Sequence, residues 1–317
     1  MARYHLDADA AQRAAVIGEL PPMRHRGLQA VRESLESAPL PEGLPTMAAI
    51  EERAIPGLTG DIPLRIYRPL TQDDGPVVMY FHGGGMVLGS NHSFEPLARM
   101  LAAASDATVI SVEYRLAPEH PAPAQFDDAF TATTWIAAHG TEMGVDPGRL
   151  AVAGDSAGGA LAAAVTLAAR DHHGPALAAQ VLVYPGLDRD MAARSITAMP
   201  DAPMLSREDI DYMHELADRG AGPPHDPYRV PAYAADLSRL PPAIVATASC
   251  DPIRDWGERY AARLCDAGVQ TTLTRYPGVY HGFLMRADAT ARGRLAIAEI
   301  GALLRAKFAH PLLPDTQ

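Results

Sequence analysis

Short apolar runs alternate with longer stretches of helical periodicity between residues 51 and 187, and the alternation returns after residue 229. Short apolar runs rich in β-branched residues predict strands, and apolar positions spaced by three or four predict helices. Such alternation predicts a mostly parallel sheet with helices on both faces. The predicted strands are 64–68, 77–81, 108–112, 150–154, 179–184, 243–249 and 270–276, and the predicted helices are 93–104, 124–138, 157–170, 207–219, 255–267 and 288–308.

Two segments of the chain depart from this alternation. Residues 1 to about 45 are helical in pattern and end in proline-rich turns, and residues 188–229 contain one predicted helix and no strand-like run. We place both segments over the carboxyl ends of the strands, which is where α/β sheets bind ligands. The sequence therefore predicts a single domain, with a cap formed by residues 1–45 and 188–228 and a core formed by residues 46–187 and 229–317.

The composition is that of an acidic globular protein. Of 317 residues, 48% are hydrophobic, and 27 Lys and Arg stand against 38 Asp and Glu, a net charge of −11. A chain of this length can bury a large core without disulfides or metals. Its acidity argues against binding to nucleic acid or to an anionic membrane. Cys250 and Cys265 are too few for a disulfide framework or a thiolate metal site, so we expect a reducing compartment.

The N-terminal segment and the apolar runs give no sign of export or membrane insertion. The first twenty residues carry acidic side chains where a signal peptide would have its apolar core. The longest candidate for a membrane span, residues 150–169, contains Asp155, Ser156 and several glycines. We therefore expect a cytoplasmic protein with no membrane partner.

The stretch "LAVAGDSAGGALAAA" places Ser156 between Gly154 and Gly158, where a predicted strand meets a predicted helix. A hydroxyl at this junction faces the ligand-binding edge of the sheet, and the helix directs its unpaired N–H groups at the same point. Glycines two residues before and after the serine permit a sharp, strained turn. A glycine-rich turn with an incidental serine is the alternative, but the strand–helix context favours a nucleophile.

A serine nucleophile needs a base that is itself oriented by an acid, and in folds of this kind these follow in the order Ser, Asp or Glu, His. Asp251 comes directly after the predicted strand 243–249. Asp255 is the alternative acid, but it falls in the first turn of a helix, where a carboxylate commonly stabilises the helix terminus. His281 follows the last predicted strand and precedes a glycine. We predict Asp251 as the acid and His281 as the base.

The stretch "YFHGGGMVLG" places three consecutive glycines after another predicted strand. Glycine lets backbone N–H groups approach a ligand closely, as the stabilisation of an oxyanion requires. We assign Gly84 and Gly85 as donors, with the N–H of Ala157 as the third and Gly83 as a further candidate with a structural alternative. A phosphate-binding loop would need a G-x-G-x-x-G spacing or a P-loop lysine. We expect His82 to hold the loop through hydrogen bonds rather than to act as a base.

Together these motifs resemble the hormone-sensitive-lipase-like branch of the α/β-hydrolases, a bacterial family of carboxylesterases with an HGGG motif. The resemblance covers most of the chain between residues 60 and 285. The matching stretches are "HGGG" (82–85), "VEYRLAPEHPAPAQFDDA" (112–129), "GDSAGG" (154–159), "VYPGLD" (183–188), "CDPIRDWGERYAARLCDAGV" (250–269) and "YPGVYHGF" (276–283).

The resemblance implies an α/β-hydrolase fold: an eight-stranded, mostly parallel sheet with helices on both faces and a helical cap. It implies a carboxylesterase that needs no cofactor or metal, acts on a small-molecule ester and forms a homodimer through an edge strand. The implied nucleophile, acid and base are Ser156, Asp251 and His281. His82 and Asp155 are implied as supporting residues of the two glycine-rich motifs. Because no membrane-binding segment is apparent, we expect short- to medium-chain acyl esters.

Three positions depart from the family pattern and bear on specificity. Met86 follows the glycines where an aromatic residue is common, Trp256 replaces an acid, and Tyr280 precedes the base where a smaller aliphatic residue is common. We expect Met86, Tyr280 and Met213 of the cap to shape the substrate pocket. An amidase, a lactonase or an acetyl-sugar esterase would use the same motifs. A binding protein without catalysis is the other alternative, but such relatives have a substituted base.

Overall fold

The computed structural model describes residues 5–18, 20–71, 74–221 and 225–311. Its strands and helices alternate through the core of the chain as the hydrophobic pattern predicts. The strands are β1 (Ala49–Pro56), β2 (Asp61–Arg68), β3 (Gly75–Phe81), β4 (Thr108–Val112), β5 (Val145–Asp155), β6 (Ala179–Val183), β7 (Ala243–Cys250) and β8 (Thr271–Tyr280). The α-helices are α1 (Ala8–Gly18), α2 (Met23–Arg26), α3 (Leu28–Glu36), α4 (Glu95–Ser105), α5 (Ala124–His139), α6 (Ala157–Asp171), α7 (Arg194–Ala198), α8 (Arg207–Asp218), α9 (Arg254–Asp266) and α10 (Ala291–Ala309).

The strands form one sheet in the order β1-β2-β4-β3-β5-β6-β7-β8. The pairs β1–β2 and β2–β4 are antiparallel, and all the pairs from β4 to β8 are parallel. This is the mostly parallel, eight-stranded sheet that the resemblance implied. The hydrophobic pattern did not predict β1, because this edge strand carries the polar residues Glu51, Glu52 and Arg53 and has little buried surface.

Two buried clusters, one on each face of the sheet, form the core. Side chains alternate between the faces of a strand, so Val78 and Tyr80 of β3 join one cluster, whereas Val77 and Met79 join the other. Residues of α1, α4 and α10 cover the first face, and residues of α5, α6 and α9 cover the second. The strand–helix alternation thus produces a three-layered structure with both faces of the sheet buried.

The first turn of α6 packs unusually closely against the ends of β3 and β5. A Cβ atom at Gly158 would overlap the backbone carbonyl oxygen of Phe81, and one at Gly154 would overlap the carbonyl oxygen of Gly158. Glycine is therefore required at both positions by close approach of the backbone. This contact fixes where α6 begins relative to the carboxyl ends of the two strands.

The segments outside the alternation contact each other through α2, α3 and α8. The backbone N–H of Met23 donates to Asp209 of α8 at 2.8 Å, and Arg24 pairs with Glu215 at 2.8 Å. Helix α1, which we expected in the cap, packs instead against β8 and α10, where Ala10 and Ala14 are buried. Within the described ranges of the chain, no helix is long and apolar enough to cross a membrane.

We expect Gly158→Ala to lower the free energy of unfolding by about 3 kcal/mol or more, because the added methyl group must displace the backbone of β3. Chemical denaturation followed by circular dichroism measures this change. Gly186→Ala is the matched control, since a Cβ at Gly186 meets its nearest neighbour at an ordinary distance of 3.6 Å. Equal losses in the two variants would contradict the proposed backbone overlap.

Candidate active site

Ser156 occupies the turn between β5 and α6 in a strained backbone conformation. Its φ and ψ are 54° and −118°, a region that residues with a side chain rarely adopt. Two hydrogen bonds hold this geometry: the N–H of Ser156 donates to the carbonyl of Val183, and its carbonyl accepts from the N–H of Gly186, both at 2.8 Å. The turn exposes the hydroxyl to a cavity above the sheet.

The structure brings Ser156, His281 and Asp251 into one hydrogen-bonded chain. Nε2 of His281 lies 2.9 Å from Oγ of Ser156, and Nδ1 lies 2.8 Å from Oδ2 of Asp251. The other carboxylate oxygen of Asp251 accepts from the backbone N–H of Ile253 at 2.9 Å. Asp251 is fully buried, and His281 is 6% exposed. The contacts orient the imidazole with one nitrogen toward the hydroxyl and the other toward the carboxylate.

Asp255, the alternative acid, makes different contacts. Its carboxylate accepts from the backbone N–H of Ser195 at 2.8 Å and from Arg254 at 3.0 Å. These donors lower the pKa of Asp255 against the opposing effect of its burial. Asp255 therefore ties the first turn of α9 to α7, and of the two candidates Asp251 is the one hydrogen-bonded to His281.

The backbone N–H groups of Gly84, Gly85 and Ala157 make no hydrogen bond with any described residue. Gly84 and Gly85 have φ values of 110° and 64°, which only glycine adopts without strain. Gly85 and Ala157 line the same cavity as Ser156. The N–H of Gly83, in contrast, donates to Asp155 at 2.9 Å. The N–H of Gly83 is therefore engaged within the protein, so Gly83 is a structural residue of the loop and not a donor to a ligand.

Asp155 connects the glycine loop to the turn that carries the serine. Its Oδ1 accepts from the hydroxyl of Tyr80 at 2.7 Å and from the N–H of Gly83 at 2.9 Å. Complete burial raises the pKa of Asp155 to about 6, although the hydrogen bond from Tyr80 and the proximity of His281 oppose this rise. A carboxyl that is hard to ionise is thus held by neutral donors between two loops.

His82 supports the glycine loop from within the core. Its Nδ1 donates to the carbonyl of Gly83 at 2.7 Å, and the hydroxyl of Tyr114 donates to the carbonyl of His82 at the same distance. The imidazole stacks between Phe94 and Tyr114. Burial lowers the pKa of His82 to about 4, so the ring is neutral near pH 7. It does not line the cavity with Ser156.

A cavity of about 300 Å³ lies over Ser156. Met86 and Met213 line it, as the sequence predicts, but Tyr280 does not. Tyr280 is only 3% exposed and packs in the core cluster that includes Ala10 of α1, because β8 continues to this residue. The residues that line the cavity are Gly85, Met86, Ala122, Pro123, Gln125, Phe126, Ser156, Ala157, Ala160, Leu161, Gly186, Asp188, Arg189, Leu205, Ile210, Met213, His214, Ala217, Asp226, Tyr228, Arg229, Val230, Ile253 and Trp256.

Sequence reasoning did not identify Arg189 and His214, which bring polar groups to this mostly apolar cavity. Arg189 follows β6 in the segment without periodic pattern, and His214 lies on α8. Neither residue belongs to one of the matching stretches, so only the arrangement of the cap over the sheet reveals them. Within the described residues, no three His, Cys, Asp or Glu side chains are grouped so that they could hold a metal ion.

Comparisons with known proteins agree with this architecture. Residues 78–285 match a family model described as an alpha/beta hydrolase fold. The chain is 42% identical over 284 residues to carboxylesterase NlhH of Mycobacterium tuberculosis, covering 86% of this chain and 89% of that protein. It is 40% identical over 249 residues to an arylesterase of Saccharolobus solfataricus, covering 78% and 80%. A solved esterase of Pyrobaculum calidifontis superimposes with a TM-score of 0.86 at 36% identity, covering 95% and 98%.

The sheet order, the strained serine turn and the family match place the chain among the α/β-hydrolases. A carboxylesterase that is 42% identical over 86% of this chain narrows the assignment to one branch of that fold. The chain belongs to the hormone-sensitive-lipase-like branch of this fold, a family of carboxylesterases.

We compare the free energy of unfolding of Asp155→Asn with that of the wild type. We expect the difference, variant minus wild type, to increase by about 1 kcal/mol between pH 5 and pH 7.5. The folded wild type holds its proton up to about pH 6, whereas the unfolded chain releases it near pH 4, so wild-type stability falls through this interval. The amide keeps the acceptor oxygen and does not titrate. Urea denaturation at the two pH values measures the difference.

Asp9→Asn is the control for this measurement. Hydrogen bonds from backbone N–H groups lower the pKa of this partly exposed carboxyl, so it titrates below the interval. A pH-independent difference between Asp155→Asn and the wild type would show that the buried carboxyl does not titrate near pH 6.

Proposed function

We propose that the chain hydrolyses short- to medium-chain carboxylic esters, with Ser156 as nucleophile, His281 as base and Asp251 as orienting acid. The observation that carries this proposal is the continuous chain of contacts, 2.9 Å from Ser156 Oγ to His281 Nε2 and 2.8 Å from His281 Nδ1 to Asp251. A serine hydroxyl is a weak nucleophile until an adjacent base accepts its proton. The order of the three residues along the chain is that of the fold family.

In the first half of the reaction, the Ser156 hydroxyl attacks the ester carbonyl while His281 takes the hydroxyl proton. The carbonyl oxygen becomes an oxyanion, and the N–H groups of Gly84, Gly85 and Ala157 are the proposed donors to it. Such pre-oriented donors stabilise the transition state because they need no rearrangement as charge develops. His281 then gives the proton to the leaving alcohol, and the acyl group remains on Ser156.

In the second half, water attacks the acyl-enzyme and His281 takes one of its protons. Collapse of the second oxyanion breaks the bond to Ser156, and the serine oxygen recovers the proton from His281. Asp251 stabilises the imidazolium and fixes the tautomer of the neutral ring. The carboxylic acid product leaves and the cycle returns to its starting state. Each step uses only side chains and backbone groups of the protein, the ester and water.

The dimensions and lining of the cavity support the proposed substrate range. A volume of about 300 Å³ lined mostly by apolar side chains suits a small ester better than a long acyl chain. Met86 and Met213 contribute flexible thioether side chains that adapt to different acyl groups. Amides, lactones and acetylated sugars would use the same acyl-enzyme and are the alternative substrates for this site.

We further propose that residues 188–228, together with α2 and α3, act as a cap over the site. The contacts of Met23 and Arg24 with α8 support this proposal. A reducing, cytoplasmic environment is consistent with Cys250 and Cys265, which are both free thiols. We also propose a homodimer that pairs the edges of two sheets at β8, where Leu273 is exposed.

We expect the wild type to hydrolyse p-nitrophenyl acetate and butyrate faster than the palmitate, and Ser156→Ala to lose activity by about 10⁴-fold or more. Release of p-nitrophenolate measures both rates. Circular dichroism of the variant controls for folding. A folded wild type that is inactive on every ester would contradict the proposed reaction, and an active Ser156→Ala would contradict the proposed nucleophile.

We expect Asp251→Asn to lower kcat by about 10⁴-fold, because the amide favours the tautomer with the proton on the wrong ring nitrogen. Asp255→Asn is the matched control, since this carboxylate contacts Ser195 and Arg254 rather than His281. We expect it to change kcat by less than about tenfold. Steady-state kinetics on p-nitrophenyl butyrate distinguish the two carboxylates. A larger loss in Asp255→Asn would assign the orienting role to Asp255.

A further inference from the structure

One part of the cavity wall is polar, although most of the lining is apolar. This part includes Arg189 and His214, and the indole of Trp256 stacks on the His214 ring at a centroid separation of 6.1 Å. The acyl-transfer steps described above use neither Arg189 nor His214. Buried polar groups of this kind are costly unless a partner satisfies them. Their presence beside the reacting serine therefore requires a separate explanation.

The guanidinium of Arg189 is incompletely satisfied by the protein. Its Nη2 donates to Asp218 at 3.1 Å, but Nη1 is buried and has no hydrogen-bond partner among the described residues. Other buried polar atoms of the described chain also lack a partner, but none of those residues lines the cavity. Burial lowers the pKa of Arg189, but a guanidinium stays protonated in proteins. Arg189 lines the cavity, so a ligand acceptor that reaches its guanidinium would complete these contacts.

His214 offers further hydrogen-bonding capacity at the same place. Its ring nitrogens make no hydrogen bond with any described residue, and the side chain is half-buried in the cavity wall. Burial, reinforced by the positive charge of Arg189, lowers the pKa of His214 to about 3. The ring is therefore neutral near pH 7, with one nitrogen that donates and one that accepts. Arg189 and His214 thus both bring hydrogen-bonding groups to the lining of the cavity.

The charges around the cavity favour an uncharged ligand group over a carboxylate. Arg189 and Arg229 both line it and both pair with Asp218, and the carboxylates of Asp188 and Asp226 line it as well. Two positive and two negative side chains therefore face the cavity, and His214 is neutral. A negatively charged ligand group would be repelled by Asp188 and Asp226, and the cavity has no net positive charge to compensate for that repulsion. A neutral acceptor such as a ketone oxygen avoids that repulsion and still binds the free donors.

We infer that Arg189 and His214 form a specificity subsite for esters whose acyl or alcohol part carries an uncharged, hydrogen-bond-accepting oxygen. The subsite rests on the proposed ester hydrolysis, because it lies in the cavity that holds Ser156. It adds a preference within that function: oxygenated esters over simple alkyl esters of the same length. Sites that hydrogen-bond a substrate group discriminate against analogues that lack it, because their own polar atoms are then left unpaired.

Two matched substrate pairs test the preference on either side of the ester bond. p-Nitrophenyl 4-oxopentanoate is compared with p-nitrophenyl pentanoate for the acyl side, and 3-oxobutyl acetate with butyl acetate for the alcohol side. Each kcat/KM is divided by the rate constant of hydroxide-catalysed hydrolysis to remove intrinsic reactivity. We expect the ketone to be preferred by about tenfold or more in at least one pair. p-Nitrophenyl hemisuccinate provides the anionic comparison and is expected to be the poorer substrate.

Variants then assign the preference to the two side chains. We expect Arg189→Met and His214→Phe each to reduce the ketone-to-alkyl ratio toward 1. Arg219→Met is the matched control, because this exposed arginine near the end of α8 pairs with Glu215 and does not line the cavity. It should retain the wild-type ratio. If Arg189→Met fails to fold after losing its contact with Asp218, His214→Phe and the wild-type ratio still decide the question.

The outcomes separate this inference from the proposed function. Hydrolysis of alkyl esters with ratios near 1 in both pairs overturns the subsite and leaves the esterase function standing. A ratio that both variants retain also overturns it. Preference for the hemisuccinate over the ketone overturns the uncharged class of ligand. Absence of hydrolysis for every ester contradicts the proposed function itself.

Discussion

The close approach of α6 to the ends of β3 and β5 is the constraint on which the rest of the structure depends. Because Gly158 lies against the carbonyl of Phe81, α6 must begin immediately after β5, and Ser156 must adopt a positive φ. The same approach brings the glycine loop that follows β3 beside the first N–H groups of α6. A bulkier residue at this contact would separate the serine from the backbone donors, so packing and chemistry share one geometric requirement.

Asp155 holds the glycine loop after β3 and the serine turn after β5 in fixed positions relative to each other. It belongs to the strand that leads to Ser156, and it accepts from Gly83 in the loop that follows the neighbouring strand. A buried carboxyl is costly, and here the hydrogen bonds from Gly83 and Tyr80 offset part of that cost. The expected loss of stability as the pH rises from about 4 to about 6 is a consequence of placing a rigid acceptor where the site needs one. The strained φ of Ser156 has a similar origin.

The sheet and the three residues at its carboxyl edge could be predicted because each depends on a local pattern. Strand ends, chain order and glycine spacing together locate Ser156, Asp251 and His281. β1 could not be predicted, since an exposed edge strand has no apolar repeat. The expectation that Tyr280 shapes the cavity rests on its position beside His281, but β8 continues through Pro277 and Gly278 to this residue, and its side chain packs in the core.

The polar side chains of the cavity could not be predicted from local sequence patterns, for a different reason. His214 reaches the cavity only because α8 is anchored to α2, through Asp209 and the backbone of Met23, contacts that span nearly two hundred residues of sequence. The protein satisfies the buried carboxyl of Asp155 through Tyr80 and Gly83. It leaves Nη1 of Arg189 without a partner where the cavity wall is polar. The contrast separates a carboxyl whose contacts are completed by folding from a guanidinium on which the inferred preference for oxygenated esters rests.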